Sequence, residues 1–374
     1  MNDTAAYYHK RFLVADCASG RCAGEEISEE FLLESLTAPG GLAVALSRKY
    51  PESAVFGAGP LTGSFAPASG GLTLAFDGGR NVAFIPLGHG AALRQCGFDA
   101  LALIGMASGT AMLRCRPAAA TVENIPAFSD RRELRRRLLL TTENGLASLI
   151  LADAPQGRDA IAAAGLENGP SPQGRLAYRA LRQHGLLALS LEGEGLLPPI
   201  PVPLNNVARE AVGRPSPAWE NEIAPTGTAG AMPKNVVWKS AACLHCPSPC
   251  LAWLQSGAFW ILHADHKGFA AALARHRENT PTFLEFCDRR GLDATVCAGL
   301  GPPESILESP DATDFEIPEP AGLDLADDAV AAGLTLGLCP KLLRRFPALS
   351  SATLGGLLSG AMNEAFLVGR RSEP

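Results

Sequence analysis

The sequence predicts an α+β fold: an N-terminal mixed domain built on a large β-sheet, followed by two mainly α-helical parts. Three observations carry this. Apolar runs of strand length, several bounded by glycine or aspartate turns, recur through residues 1–205. A proline-rich stretch, Leu197-Pro-Pro-Ile-Pro-Val-Pro203, then interrupts the chain. Such a segment is stiff and extended and joins a core poorly, so it reads as a boundary. Beyond it, apolar residues recur at intervals of three and four, the spacing of a helix face.

At 374 residues the chain exceeds one ordinary core and is expected to divide. The divisions are an N-terminal domain over 1–205, a helical domain over 206–310 and a short C-terminal helical domain over 320–374. Residues 302–322, rich in Pro, Glu, Ser and Asp, read as the linker between the last two.

Arg11-Phe-Leu-Val-Ala before Ser19-Gly20 reads as a strand and turn, as does Leu72-Thr-Leu-Ala-Phe before Asp77-Gly-Gly. Val82–Ile85, Ala100–Ile104, Ser148–Leu151 and Leu186–Leu191 are further strand-like runs. Helical spacing marks Glu29–Lys49, Asp130–Leu140 and Arg175–Gln183, then Gly268–His276, Pro281–Arg290 and Asp327–Phe366, the last with Cys339 inside it. The basic run Arg131–Arg137 is expected to be a solvated helix face. His263 and Asp265 are expected at a polar, solvent-facing helix start. No internal repeat is evident.

Composition excludes several classes. A hydrophobic content of 47% and a net charge of −6 describe a globular protein and not a nucleic-acid binder. The apolar runs are too short to span a bilayer, and no apolar signal core follows Asp3, His9 and Lys10, so a cytoplasmic protein is expected. Ten cysteines in such a chain should be mostly reduced. Cys17, Cys22, Cys96 and Cys115 are scattered among apolar or turn residues and read as buried small hydrophobes.

Cys243-Leu-His-Cys246-Pro-Ser-Pro-Cys250 is different. Three thiols within one short loop can aim at one point, which suits a cubane iron–sulfur cluster or a zinc ion. A cubane needs a fourth thiolate from elsewhere. Zinc would take His245 or a distant cysteine.

Several stretches, in order, resemble the aldehyde:ferredoxin oxidoreductase family. Gly57-Ala-Gly-Pro-Leu-Thr-Gly-Ser-Phe-Ala-Pro67 is similar to that family's AGPLTGT-x-AP segment, and Gly97-Phe-Asp-Ala-Leu to its GYDAI strand. Cys243–Cys250 resembles its CxxCPxxC loop. Cys287-Asp-Arg-Arg-Gly-Leu-Asp293 resembles its C-[DE]-x-x-GLD segment, and Leu336-Gly-Leu-Cys339 its GLC motif.

The resemblance implies an N-terminal domain like that of the family and a [4Fe–4S] cluster held by Cys243, Cys246, Cys250 and Cys339. Cys287 and Cys297 compete for the fourth place. It implies oxidoreductase chemistry, aldehyde to acid, at a tungsten or molybdenum ion held by two pterins, with Asp293 at a pterin-facing position. Electrons would leave to ferredoxin or another electron carrier, and the chain would form a homodimer or join a partner subunit. The sequence departs from the family at the pterin-binding elements. The ANSGG turn reads Pro86-Leu-Gly-His-Gly90, a glycine run is lost over Gly169–Leu181, and Leu334 replaces an acid five residues before Cys339. No catalytic residue is assigned. A paralogue that keeps the cluster without tungstopterin, and a zinc-stapled scaffold, are the two alternatives.

Overall fold

The strand runs of the N-terminal domain assemble, in a computed structural model, into two sheets of one design. The structure describes residues 8–64, 69–108, 110–117, 119–125, 130–140, 148–153, 174–195, 236–241, 251–256, 259–263, 279–302 and 322–340, with isolated positions between them.

The first half opens with a hairpin, β1 (Arg11–Asp16) and β2 (Arg21–Glu26), followed by α1 (Glu29–Thr37) and α2 (Gly41–Lys49). Ser28 starts α1, its hydroxyl accepting the Phe31 N–H at 3.2 Å, as an N-cap serine should. The single helix expected over Glu29–Lys49 is thus two, parted at Pro39-Gly40. Strands β3 (Ala54–Gly57), β4 (Leu72–Phe76) and β5 (Asn81–Ile85) follow, then α3 (His89–Gln95) and β6 (Ala100–Ile104). The sheet order is β2-β1-β6-β3-β4-β5, with β1 and β6 parallel and every other pair antiparallel.

The second half repeats this plan. Its elements are the hairpin β7 (Ala111–Arg116) and β8 (Ala119–Asn124), helix α4 (Arg131–Leu140), strands β9 (Ser148–Leu151), β10 (Gly165–Leu166) and β11 (Gly169–Pro170), helix α5 (Gly174–Gln183) and strand β12 (Leu186–Leu191). Its order is β8-β7-β12-β9-β10-β11, again with one parallel pair, β7 and β12. The duplication corrects the expectation of no repeat. Its trace lies in Ala92-Leu-Arg-Gln-Cys-Gly97 and Ala180-Leu-Arg-Gln-His-Gly185, which end the two equivalent helices.

Alternation along the strands sends one face of each sheet inward. Leu13, Phe56, Leu74 and Leu101 of the first sheet meet Leu113, Ile150 and Leu189 of the second, with Leu93 of α3 and Leu181 of α5 in the same core. On the outer face of the first sheet lie α1, α2 and α8 (Asp328–Leu336), joined through Leu32, Val44, Leu46, Val330 and Leu334. On the outer face of the second sheet, Leu134 and Leu138 of α4 cover Leu149, Leu151 and Leu187.

The chain after residue 206, expected to be helical, contains an antiparallel meander: β13 (Val236–Ala241), β14 (Leu251–Ser256) and β15 (Phe259–His263). Val, Trp, Ile and Phe are abundant in these runs, and such side chains favour a pleated surface. His263 accordingly ends a strand and does not start a helix. Helices α6 (Thr280–Arg290) and α7 (Ala294–Leu300) follow, with α6 packed on β14, β15 and α4. Among the described residues, no helix is long and apolar enough to cross a membrane.

The basic run of α4 is solvated only in part: Arg136 and Arg137 are exposed as expected, and the other three arginines are not. Arg131 pairs with Asp153 at 2.6 Å, Arg132 with Glu285 at 2.8 Å and Arg135 with Asp288 at 3.4 Å. These arginines join α4 to the second sheet and to α6.

Candidate functional site

Two helix ends that share a Gly-Leu pair define the candidate site. Helix α8 ends at Gly337, whose φ is 80°, with the Gly337 N–H donating to Leu334 O at 3.2 Å and the Leu338 N–H to Gly333 O at 2.8 Å. Helix α6 ends at Gly291, whose φ is 69°, with the Gly291 N–H donating to Asp288 O at 3.4 Å and the Leu292 N–H to Cys287 O at 2.9 Å. Both are Schellman turns: a left-handed residue closes the helix and the next amide reaches back to its last carbonyls. The residue after the turn, Cys339 or Asp293, is thereby projected out of its helix. Cys339 therefore follows α8 and does not lie inside a helix.

Each turn docks on the corresponding loop of one half. Gly59 stands two residues beyond β3, and its backbone faces Gly337 so closely that a Cβ on Gly59 would overlap the Gly337 nitrogen. The Leu61 N–H donates to Leu336 O at 3.0 Å, and the Thr73 hydroxyl to Leu334 O at 3.3 Å. Asp153 stands two residues beyond β9, and its carbonyl would be overlapped by a Cβ on Gly291. Leu292 forms an isolated bridge with Ala162. Both Gly-Leu motifs thus serve one device, repeated with the sheet.

A buried arginine stands behind each docked turn. Arg131 donates from Nη2 to Asp153 O at 2.9 Å. Arg94, 0% exposed, donates from Nη1 to Thr62 O at 2.8 Å and to Pro60 O at 3.3 Å. Asp99, also 0% exposed, lies 3.7 Å from Arg94 Nε and accepts the His9 N–H at 3.1 Å and the Arg11 N–H at 3.4 Å. Burial raises the Asp99 carboxyl, against the pull of Arg94. The same burial, together with Asp99, raises the Tyr8 phenol.

The thiols sort by environment. Burial pushes Cys17 up to about 12 and raises Cys22. Cys115 is raised by its hydrogen bond to Cys96 and by burial, and Cys287 by burial and its hydrogen bond to Cys297. In the absence of a metal, such surroundings keep these thiols protonated and unreactive. Cys96 and Cys297, their partners, are buried as well. Cys339 is half-buried at the docked turn, beside the α2–α8 core.

The other expected ligands, Cys243, Cys246 and Cys250, lie outside the described residues. Ala241 and Leu251, which flank that stretch, are cross-strand partners, so its two ends are about 5 Å apart. Among the described residues, no group of three His, Cys, Asp or Glu could hold a metal. Asp293, expected to face a pterin, caps α7, with Oδ1 accepting the Thr295 N–H at 2.9 Å and the Val296 N–H at 3.3 Å.

At the first position of α3, His89 is 0% exposed and its Nδ1 shares a hydrogen bond with the Ser148 hydroxyl. Burial lowers its pKa to about 3. Two of the neighbouring glycines are consumed by internal packing, since a Cβ on Gly90 would overlap Gly71 O and one on Gly71 would overlap Phe84, whereas Gly88 faces open space. A diphosphate-bearing pterin needs basic side chains and exposed backbone N–H groups. Around His89 a buried, neutral imidazole and the packed Gly71 and Gly90 stand in their place, which fits that group poorly. Sequence reasoning missed His89, Arg94, Asp99 and Arg131, and only the repeated Ala-Leu-Arg-Gln could have drawn attention to Arg94.

Against solved structures, the chain shares its fold with the active site complex BamBC of benzoyl coenzyme A reductase, solved in complex with 1,5-dienoyl-CoA. The TM-score is 0.61 at 14% identity, over 96% of this chain and 64% of that one. The likeness is one of fold, and the chain spans less than two thirds of that neighbour. No family model and no curated protein matches the sequence.

Proposed function

We propose that this chain is an iron–sulfur electron-transfer protein on the scaffold of the aldehyde:ferredoxin oxidoreductase family. Cys243, Cys246, Cys250 and Cys339 hold a [4Fe–4S] cluster. The observation that carries the reading is the docking of the Leu336–Cys339 turn on the Gly57–Gly63 loop. Two motifs far apart in sequence, each resembling that family, meet backbone to backbone. The fold shared with a benzoyl coenzyme A reductase active-site complex supports an oxidoreductase setting. The cluster supplies one-electron transfer. The chain's own part is to bring Cys339 from the C-terminal segment to the loop that begins after Ala241.

Two roles differ in what the first sheet holds. Aldehyde oxidation requires a pterin-bound tungsten or molybdenum ion. The buried His89 and the packed Gly71 and Gly90 favour the other role, a partner subunit that keeps the cluster and relays electrons to ferredoxin or another carrier. Metal analysis after anaerobic purification separates the outcomes. Iron with acid-labile sulfide and no tungsten or molybdenum supports the relay. Stoichiometric tungsten or molybdenum restores the aldehyde oxidation reading. Zinc alone overturns the cluster and leaves the zinc-stapled scaffold.

A further inference from the structure

The two halves of the sheet domain provide an internal comparison. Arg94 in Ala92-Leu-Arg-Gln and Arg182 in Ala180-Leu-Arg-Gln occupy the same place at the end of equivalent helices. Five residues on, the first half has Asp99 and the second has Leu187. Arg94 and Asp99 are both fully buried, whereas Arg182 is half-buried and Leu187 packs with α4. One fold unit is therefore built twice, with an ion pair at this place in the first half alone. The buried pair of the second half, Arg131 and Asp153, comes from α4 and the loop after β9. Burying two charges is costly even when they are paired. A pair that the equivalent place in the second half does without calls for a local reason.

That reason lies in what Arg94 touches. Its guanidinium holds the carbonyls of Pro60 and Thr62, on either side of Leu61. Leu61 is the residue whose N–H donates to Leu336 O. Thr62 in turn accepts the Gly59 N–H at 2.9 Å, and Gly59 faces Gly337. Asp99 anchors the pair by accepting amides from the start of β1.

We propose that the Arg94–Asp99 pair is a positioning device that fixes the Pro60–Thr62 carbonyls, so that the Leu336–Cys339 turn docks and Cys339 is held at one place. The pair touches no cofactor and acts through the loop. As a role for a cluster ligand, this rests on the function proposed above. As a statement about the Cys339 thiol, it stands without a cluster.

The test follows alkylation of each cysteine by iodoacetamide in metal-free protein, resolved by peptide mass spectrometry. Cys22, half-buried on β2 at the edge of the first sheet, is the internal control. In the double variant Arg94→Met, Asp99→Leu, which leaves no lone buried charge, Cys339 should react about tenfold faster, with Cys22 unchanged. Asp99→Asn keeps the shape and weakens the grip on Arg94, and should raise the Cys339 rate about threefold. Arg94→Lys alone, which keeps a cation beside Asp99, should retain part of the protection. In iron-loaded protein the same variants should alter the electron paramagnetic resonance line shape of the reduced cluster. Absence of a cluster in the wild type would sink the function and leave the alkylation result to decide the pair. An unchanged Cys339 rate in folded variants would overturn the proposal. So would failure of both variants to fold, since the pair would then be a fold element.

Discussion

Leu61 and Leu336, 275 residues apart in sequence, are joined amide to carbonyl at 3.0 Å. Behind that bond Gly59 and Gly337 face each other with no room for a Cβ. A loop of the first sheet and the end of α8 are thus one backbone-to-backbone joint, and Cys339 leaves the chain two residues past it. The second sheet repeats the joint between Asp153 and Gly291.

Gly337→Ala tests the joint directly. A left-handed alanine alone costs about 1–2 kcal/mol. Here the methyl would also overlap Thr62 Oγ1. Gly97, with φ of 88° and nothing within 4 Å of an added Cβ, isolates the first effect. Gly97→Ala should cost about 1–2 kcal/mol, and Gly337→Ala about 2 kcal/mol more, measured by urea unfolding. Equal losses would mean that the α8 turn is not packed as described.

Strands β1, β4, β5, β6, β9 and β12 were legible because they are short apolar runs, and α4, α5 and α6 because their periodicity is regular. Strands β2, β3, β7, β8, β10 and β11 were not, since charged residues interrupt β2, β7 and β8 and the other three are only two to four residues long. The duplication was not, since Cys96 and His184, or Asp99 and Leu187, differ in kind at matching places. The strands Val236–Ala241 and Phe259–His263 were overshadowed by helical spacing further on. The partners of Arg131, Arg132 and Arg135 lie 22 to 153 residues away. No local pattern reveals such partners, so a basic run read as a wet surface.

The α4 contacts should divide sharply by burial. Arg131→Met leaves Asp153 buried without its partner and should cost about 3–5 kcal/mol. Arg132→Ala removes a pair that is about one-fifth exposed at each end and should cost no more than about 1 kcal/mol. Urea unfolding of both variants provides the comparison, and similar losses would contradict the ordering.

His89 sets a pH dependence. In the folded chain burial keeps it neutral down to about pH 3. Unfolded, its imidazole takes a proton below about pH 6.5. Between these values the unfolded state binds more protons, so stability falls as pH falls, by at most about 1.4 kcal/mol per pH unit from this group. His184, also lowered by burial, acts in the same direction. His89→Gln should therefore lose about 1–2 kcal/mol less than wild type between pH 7 and pH 5. Parallel pH profiles would show that His89 is protonated or exposed in the folded chain.

The most direct measurement is the iron and acid-labile sulfide content of anaerobically purified wild type beside Cys339→Ser, Cys287→Ser and Cys297→Ser. A [4Fe–4S] cluster held by Cys243, Cys246, Cys250 and Cys339 predicts roughly four iron and four sulfide per chain in the wild type. Cys287→Ser and Cys297→Ser should keep that content, and Cys339→Ser should lose most of it. Full iron in Cys339→Ser, or a wild type that carries zinc and no iron, would contradict the account.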